Sequence, residues 1–336
     1  MPNRIFITRM LPQPVFDRLD EAGIDYDVYP KDEIIPRDVL LKEVQDREGL
    51  LCILTDAIDK EVFDRAHRLK IIANYAVGYN NIDIAEASRR GIAVANTPGV
   101  LTDATADLAW TLLLAAARRA VESDAYLRAG KFQGWGPMLL LGRDVTGATL
   151  GIVGLGRIGK AFAQRAAAFQ MKILYASREL DEEFESAYPG DIRRVELDEL
   201  LANSDFVSLH VPLTPETVHL IGEQELRRMQ PHAILINTSR GPVVDEAALV
   251  RALQEKWIWG AGLDVYENEP QVHPGLIALP NTVLLPHLGS ATTKTRTRMG
   301  LMAVENLIAF FEGKRPPNLI NDELRPPSSL SNEEKP

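Results

Sequence analysis

The stretch of this chain that most constrains its fold is a short apolar run that leads directly into three spaced glycines. It occupies residues 149–159, where Gly154, Gly156 and Gly159 form the pattern G-x-G-x-x-G. In this pattern the first glycine permits a tight turn, the second lets a pyrophosphate approach the backbone, and the third lets the next helix pack against its strand. A second apolar strand over residues 172–177 closes a β-α-β unit of about thirty residues, which predicts a Rossmann dinucleotide-binding domain.

The residues at the end of the second strand bear on the choice of cofactor. An NAD-binding chain places Asp or Glu there to accept hydrogen bonds from the ribose 2′-hydroxyl, whereas a 2′-phosphate needs a cation instead. This chain has Ser177 and Arg178, and a planar guanidinium suits a phosphate group. We therefore predict NADP(H) as the preferred cofactor and NAD(H) as a second cofactor. The alternative is that Arg178 is a solvated loop residue, an interpretation that the neighbouring Glu179 keeps open.

Composition restricts the class of protein. A length of 336 residues with 46% hydrophobic and 25% charged residues favours a globular chain of two domains. The net charge of −10 disfavours nucleic acid as a partner, and it requires local cations to hold an anionic substrate. Cys52 is the single cysteine, so no disulfide is expected, and the histidine spacing predicts no metal site. Without a signal sequence or a membrane-length apolar run, we expect a soluble, cytoplasmic protein that does not bind membranes.

The order of segments indicates how the chain is organised. The first hundred residues alternate apolar strands with amphipathic helices, which is typical of a parallel sheet covered by helices. They lack a phosphate-binding glycine pattern, so we expect them to have a role other than dinucleotide binding. Residues 102–125 predict one long helix that is buried on more than one side, either inside its domain or at a subunit interface. The segment 132–137 is expected to be irregular, and the tail past Glu323 to be loose.

Three residues follow strands of the sheet that carries the glycine pattern. Arg240 follows the strand that ends at residue 238, Glu269 follows the strand over 260–265, and His287 follows the strand over 282–285. Ligands of open α/β sheets bind at the carboxyl ends of the strands, so these residues are expected to be neighbours in space. Taken singly, each is more often an ordinary loop or surface residue, and it is their shared placement that favours a common role.

The three residue types suit the reduction of a 2-keto acid. Arg240 would hold the carboxylate and polarise the carbonyl group, because its guanidinium matches a carboxylate with two parallel donors. His287 would give a proton to the developing alkoxide. Glu269, hydrogen-bonded to the imidazole, would fix its tautomer and keep the ring protonated for the reductive direction.

Six short motifs, taken in order, resemble those of the D-isomer-specific 2-hydroxyacid dehydrogenase family. They are AVGYNNID at 76–83, NTPGV at 96–100, the glycine pattern at 154–159, NTSRG at 237–241, GLDV at 262–265 and PHLGS at 286–290. The resemblance extends from about Ile5 to about Asn321. Within the family the chain is most similar to glyoxylate and hydroxypyruvate reductases, notably through residues 73–79 and the pair Ser177-Arg178.

The resemblance implies a fold of two doubly wound parallel-sheet α/β domains. A Rossmann cofactor domain, residues 99–289, is then inserted into a flavodoxin-like substrate-binding domain made of residues 1–98 and 290–336. Hinges near Pro98 and His287 would let the cleft close on substrate. The resemblance also implies a homodimer joined through the cofactor domain, with residues 102–120 and the arm around Trp135 available for that contact.

Individual roles follow from the same resemblance. Catalytic roles are implied for Arg240, Glu269 and His287. Cofactor contacts are expected from Gly154, Gly156, Arg157, Ile158, Gly159, Ser177, Arg178, Pro212, Thr217, Thr238, Ser239, Asp264, His287 and Gly289. Among these, Asp264 would bind the nicotinamide amide. Substrate contacts are expected from Val77, Gly78, Arg240, His287 and Ser290, the first two through their backbone.

The predicted reaction is the NAD(P)H-dependent reduction of glyoxylate and hydroxypyruvate to glycolate and D-glycerate. Formate dehydrogenases resemble the family but carry Gln in place of Glu269, and phosphite dehydrogenases carry Lys in place of Val77, so both activities are disfavoured. Two alternatives remain open. One is an NAD-dependent dehydrogenase of a larger D-2-hydroxy acid. The other is a dinucleotide-sensing corepressor on the same fold, which the intact set of three catalytic residues disfavours without excluding it.

Overall fold

The computed structural model describes residues 4–321, which divide into two compact units. The first contains the described parts of Met1–Leu101 and Ala291–Pro336, and the second is Thr102–Ser290. Each unit is built on a single parallel sheet, so the predicted class of two doubly wound α/β domains is confirmed. The loose tail predicted past Glu323 lies outside the described residues.

The first unit opens with five strands and four helices that alternate along the chain. They are β1 (Arg4–Ile7), α1 (Gln13–Glu21), β2 (Asp25–Val28), α2 (Arg37–Glu43), β3 (Gly49–Cys52), α3 (Lys60–Arg65), β4 (Ile71–Asn74), α4 (Ile84–Arg89) and β5 (Ala93–Ala95). The sheet order β2-β1-β3-β4-β5 is the flavodoxin-like order. The central strands β3 and β4 are buried at every position, as expected for strands covered on both faces.

The second unit carries the sheet with the glycine pattern. Its elements are α5 (Thr102–Ala117), α6 (Ala120–Arg128), β6 (Thr149–Val153), α7 (Arg157–Ala166), β7 (Lys172–Ala176), α8 (Glu182–Ala187), β8 (Ile192–Arg194), α9 (Leu197–Asn203), β9 (Phe206–Leu209), α10 (Glu223–Arg228), β10 (Ile234–Asn237), α11 (Glu246–Gln254), β11 (Gly260–Leu263), α12 (Pro274–Ile277) and β12 (Thr282–Leu284). The parallel order β12-β11-β10-β9-β6-β7-β8 is a Rossmann order with one additional strand. The direction of winding reverses between β6 and β9, which places the glycine turn at the switch point.

A long closing helix, α13 (Thr293–Phe311), returns the chain to the first unit. It packs with α1 on one face of the sheet, where Ile5 and Ile7 of β1 meet its buried residues. Phe6 points to the other face and joins a separate core beneath the remaining helices, because successive strand residues alternate between faces. Within residues 4–321, no helix combines the length and hydrophobicity that crossing a membrane requires.

The single long helix predicted over residues 102–125 is wrong. The chain forms two helices, because Arg119 adopts a left-handed backbone conformation with φ of 54°. This turn is fixed by partners elsewhere in the unit. The Arg143 N–H donates to the Ala117 carbonyl at 2.8 Å, and the Arg119 guanidinium bonds both oxygens of Glu122. Helical periodicity could not reveal the break, since Arg143 lies far along the chain.

Candidate active site

The glycine pattern forms the turn between β6 and α7. Gly154 has φ of 96°, and a Cβ on Gly159 would lie 2.2 Å from the Gly154 carbonyl oxygen, so both positions require glycine. A Cβ on Gly156 would instead meet nothing within 4 Å. Helix α7 begins at Arg157 without a side-chain cap, so the N–H groups of its first turn, including that of Ile158, are available to an anion. Open space in front of an uncapped helix end fits a dinucleotide pyrophosphate.

The end of β7 presents Ser177 and Arg178, the residues predicted to select the cofactor. Their backbone is held from the neighbouring strand by Arg194, which the sequence interpretation missed together with β8 itself. Arg194 donates from Nε to the Ser177 carbonyl at 2.9 Å and from Nη2 to the Arg178 carbonyl at 3.3 Å. A three-residue strand with two arginines carries little periodic signal, so neither the strand nor this contact was evident from sequence.

The loop after β9 contains the predicted contacts Pro212 and Thr217. The Thr217 hydroxyl donates to the Pro212 carbonyl at 2.7 Å and accepts from the Thr214 N–H at 2.8 Å, which folds the loop onto itself. Just before it, the ring of His210 packs on Phe162 of α7 with centroids 5.0 Å apart. Burial lowers the pKa of His210 to about 3, so this ring stays neutral and packs against α7 as an uncharged side chain.

Arg240 is presented by a turn that Asn237 organises. Asn237 ends β10 and is 1% exposed. Its Oδ1 accepts hydrogen bonds from the Ser239 N–H at 3.0 Å and the Ser239 hydroxyl at 2.8 Å, and its Nδ2 donates to the Arg240 carbonyl at 2.9 Å. Within residues 4–321, the buried Thr238 hydroxyl has no hydrogen-bond partner. Asn237 is the first residue of the NTSRG motif, and the sequence alone assigned it no role, although Asn at a strand end is a known turn signal.

The electrostatics of Arg240 reflect its partly buried position. Burial lowers the pKa of the Arg240 guanidinium, and the nearby charge of Glu269 opposes that shift. Even when lowered, an arginine pKa leaves the group charged at neutral pH. The side chain is therefore a permanent cation at the carboxyl edge of the sheet, and its Nη1 also donates to the Ser239 carbonyl at 2.8 Å.

Glu269 and His287 are in direct contact. Nδ1 of His287 lies 2.8 Å from Oε2 of Glu269, and both side chains are 27% exposed. Oε1 of Glu269 accepts the Tyr266 N–H at 3.0 Å. Burial raises the pKa of Glu269, but the hydrogen bond and charge of His287 more than offset this, and the net pKa lies below its ordinary value. An ionised Glu269 accepts the Nδ1 proton, which leaves Nε2 as the nitrogen that can exchange a proton with a ligand.

Asp264 lies at the end of β11, beneath the loop of His287. It is 1% exposed, and its two carboxylate oxygens accept hydrogen bonds from the N–H groups of Leu288 and Gly289 at 2.6 and 2.8 Å. Burial raises the pKa of Asp264 to about 6, although these hydrogen bonds and the charge of His287 act in the opposite direction. Asp264 therefore anchors a neighbouring loop, a role the sequence interpretation did not assign to it.

In the first unit, Val77 and Gly78 follow β4 in a loop held by asparagines. Asn74 donates from Nδ2 to the Gly78 carbonyl at 2.9 Å, and Asn96 donates from Nδ2 to the Val77 carbonyl at 2.8 Å. No hydrogen bond donated by the N–H groups of Val77 and Gly78 is found within residues 4–321. These two backbone donors are thus available to a ligand.

Residues 110–289 match the family model described as D-isomer specific 2-hydroxyacid dehydrogenase, NAD binding domain. The matched segment contains the glycine turn, Arg240, Glu269 and His287. This chain belongs to the D-isomer-specific 2-hydroxyacid dehydrogenase family. The predicted resemblance is confirmed, and the protein is an oxidoreductase with a dinucleotide-binding domain.

Similarity to other members of the family covers nearly all of this chain. The glyoxylate reductase of Korarchaeum cryptofilum is 54% identical over 334 residues, which cover 97% of this chain and 99% of that protein. The glyoxylate reductase of Thermococcus gammatolerans is 52% identical over 328 residues, with 96% and 97% covered. A crystal structure of the NADPH-dependent glyoxylate/hydroxypyruvate reductase of Sinorhizobium meliloti with NADP and malonate superposes with a TM-score of 0.83 at 34% identity, covering 96% of this chain and 98% of that one.

Proposed function

We propose that this enzyme reduces glyoxylate and hydroxypyruvate, giving glycolate and D-glycerate, with NADPH preferred over NADH. The observation that carries the proposal is the 2.8 Å contact between Glu269 and His287, at the sheet edge where the permanently charged Arg240 also lies. The names of relatives that share about half of the sequence support the substrate class.

The residues of the site divide the chemistry between them. When bound, NADPH supplies the hydride that reduces the carbonyl carbon. Arg240 holds the substrate carboxylate with parallel N–H donors and polarises the carbonyl oxygen. Nε2 of His287 donates its proton to that oxygen as negative charge develops there, so hydride and proton together give the 2-hydroxy acid. Glu269 fixes the proton on Nδ1 and stabilises the charged imidazole.

Further substrate contacts are proposed on the basis of available donors. Val77 and Gly78 offer two backbone N–H groups without a partner within residues 4–321, which suits a carboxylate. Ser290 stays a predicted substrate contact. The assignment of substrate binding to residues 1–98 and 290–336, and of cofactor binding to 99–289, is likewise part of the proposal.

The cofactor proposal rests on the residues available to the pyrophosphate, to the 2′-phosphate and to the nicotinamide amide of the dinucleotide. The first turn of α7 would hold the pyrophosphate, and Ser177 with Arg178 would hold the 2′-phosphate, with Arg194 keeping their backbone in place. Remaining contacts are proposed for Pro212, Thr217, Thr238, Ser239, Asp264, His287 and Gly289. For Asp264, a nicotinamide amide would use carboxylate lone pairs that the Leu288 and Gly289 N–H groups leave available. The homodimer and the cytoplasmic location stay predictions.

The deciding experiment measures initial rates of NADPH and NADH oxidation with glyoxylate, hydroxypyruvate, pyruvate and a bulkier 2-keto acid. We expect rapid turnover of the first two with NADPH. The variant His287→Ala should lose nearly all turnover while it keeps its affinity for NADPH, measured by fluorescence titration. Turnover of the bulkier acid alone would favour a dehydrogenase of larger substrates, and no turnover at all would contradict the proposed function.

A further inference from the structure

Tyr266 lies in the loop that follows β11, three residues before Glu269. Its side chain is 6% exposed and forms part of the hydrophobic core of the second unit. A tyrosine in a core needs a partner for its hydroxyl, because an unpaired O–H in apolar surroundings is costly. The partner of this hydroxyl therefore shows which part of the unit Tyr266 holds in place.

The Tyr266 hydroxyl bonds the loop that carries His287. It donates to the Leu285 carbonyl at 2.9 Å, and Leu285 stands two residues before His287. The Leu263 carbonyl, at the end of β11, is a second and longer contact at 3.4 Å. The backbone N–H of the same tyrosine donates to Oε1 of Glu269 at 3.0 Å. One residue therefore holds the carboxylate through its main chain and the imidazole loop through its side chain.

The backbone of Tyr266 also lies against the turn that carries Arg240. A Cβ built on Gly241 would fall 1.8 Å from the Tyr266 carbonyl oxygen, so close packing requires glycine directly after Arg240. The loops of all three proposed catalytic residues thus meet at Tyr266.

We propose that Tyr266 is a positioning residue whose hydroxyl keeps His287 within hydrogen-bond distance of Glu269. This inference rests on the roles proposed above for those two residues. Any residue except proline at position 266 supplies the main-chain N–H to Glu269, so the specific contribution of the tyrosine side chain is its hydrogen bond to the His287 loop. A phenylalanine would fill the same volume and keep that N–H bond, but the Leu285 carbonyl would lose this donor.

A purely structural role for the hydroxyl would have different consequences. Its loss would then lower stability and leave the imidazole where it is. Tyr188 provides a matched control, because its side chain is 8% exposed and its hydroxyl also donates to a backbone carbonyl, that of Ala163, at 3.2 Å. Neither of these residues belongs to the proposed catalytic set.

The test compares Tyr266→Phe, Tyr188→Phe and the unaltered protein. Proton NMR of the cofactor-free proteins would follow the downfield resonance of the His287 Nδ1–H, assigned by its disappearance in His287→Asn. Steady-state reduction of glyoxylate with NADPH would give kcat and KM separately, and thermal unfolding would establish that each variant is folded.

We expect Tyr266→Phe to broaden or abolish the resonance and to lower kcat about three- to tenfold, as for the loss of one hydrogen bond, with KM nearly unchanged. Tyr188→Phe should keep both the resonance and kcat. A resonance and a kcat in Tyr266→Phe equal to those of the unaltered protein would overturn the inference, as would absence of the resonance from the unaltered protein. If glyoxylate is not reduced but Tyr266→Phe still loses the resonance, the proposed function fails and the positioning role stands.

Discussion

Asp264 holds the backbone on both sides of the His287 peptide. The Asp264 carbonyl accepts the His287 N–H at 2.9 Å, and its carboxylate accepts the two N–H groups that follow. His287 has φ of 56°, a left-handed conformation that costs free energy in a residue with a side chain. The hydrogen bonds that Asp264 accepts from this loop offset the cost and thereby fix the imidazole proposed to donate the proton.

Asp264→Asn should therefore disturb the position of His287. An asparagine can accept one of the two N–H groups, but its own amide N–H would face the other donor. We expect kcat to fall about tenfold or more, the scale for losing a charge-assisted hydrogen bond at a positioned group. Asp191→Asn, an exposed substitution of the same type in the same unit, is the control. Equal kcat values for the two variants would show that Asp264 does not position His287.

The same carboxylate should make stability depend on pH. Burial raises the pKa of Asp264 to about 6 in the folded protein, above the value of about 3.9 for an unfolded chain. The folded state therefore binds this proton more tightly, so the stabilisation is complete below the unfolded pKa and is lost as pH rises through about 6. Relative to Asp264→Asn, we expect the free energy of unfolding to fall by on the order of 2 kcal/mol between pH 4 and 7. Urea unfolding of the unaltered protein and of Asp264→Asn, repeated across this pH range, measures the difference. If the free energy of unfolding of the two proteins depends on pH in the same way, the prediction is contradicted.

Gly156 and Gly159 should respond differently to a methyl group. Gly156→Ala meets open space, so we expect a loss of stability of about 1 kcal/mol or less but a cofactor affinity at least about tenfold weaker, because the methyl group fills space the pyrophosphate needs. Gly159→Ala should lower the unfolding temperature strongly, since its Cβ would overlap the Gly154 carbonyl. Calorimetry and NADPH titration separate the two effects. Gly136→Ala, which makes only an ordinary contact, is the control.

Arg194 and Ser177 should both affect the choice of cofactor. Without Arg194 the backbone of Ser177 and Arg178 loses two donors, so Arg194→Ala should raise the KM for NADPH more than that for NADH. Arg193→Ala removes a neighbouring arginine that is paired instead with Glu199, at 2.8 Å. This control variant should leave the ratio of the KM for NADPH to the KM for NADH unchanged. Ser177→Asp should shift preference toward NADH, because a carboxylate accepts from a 2′-hydroxyl and repels a 2′-phosphate. An unaltered ratio in both Arg194→Ala and Ser177→Asp would mean that the phosphate is recognised elsewhere.

Arg240→Lys tests whether activity needs the two parallel N–H donors of the guanidinium as well as its positive charge. Lysine provides a compact charge without two parallel donors, so KM should rise and kcat fall together, with kcat/KM reduced about a hundredfold. The exposed pair of Arg128 with Asp124 offers Arg128→Lys as the control, and its kinetics should be unchanged. A change in KM alone would assign Arg240 to binding without a part in the chemical step.

Sequence alone was sufficient for features with a local physical cause. The turn between β6 and α7 needs glycine at Gly154 because of its positive φ, and at Gly159 because a Cβ there would overlap the Gly154 carbonyl. Both causes lie within the turn itself, so the glycine pattern is evident in the sequence. The alternation of apolar strands and amphipathic helices likewise predicted two parallel sheets. Because strands of a parallel sheet all end at one edge, the positions of Arg240 and His287 after their strands predicted a shared site.

Tertiary structure decided what depends on partners distant in the chain. The break between α5 and α6 is stabilised by Arg143, the loop of Ser177 by Arg194, and the loop of His287 by Asp264 and Tyr266. Each of these is a hydrogen bond between residues that only the folded sheet brings together, so no local periodicity encodes it. The sequence by itself thus determined which residues reach the edge of the sheet, and the folded structure determined how each one is held there.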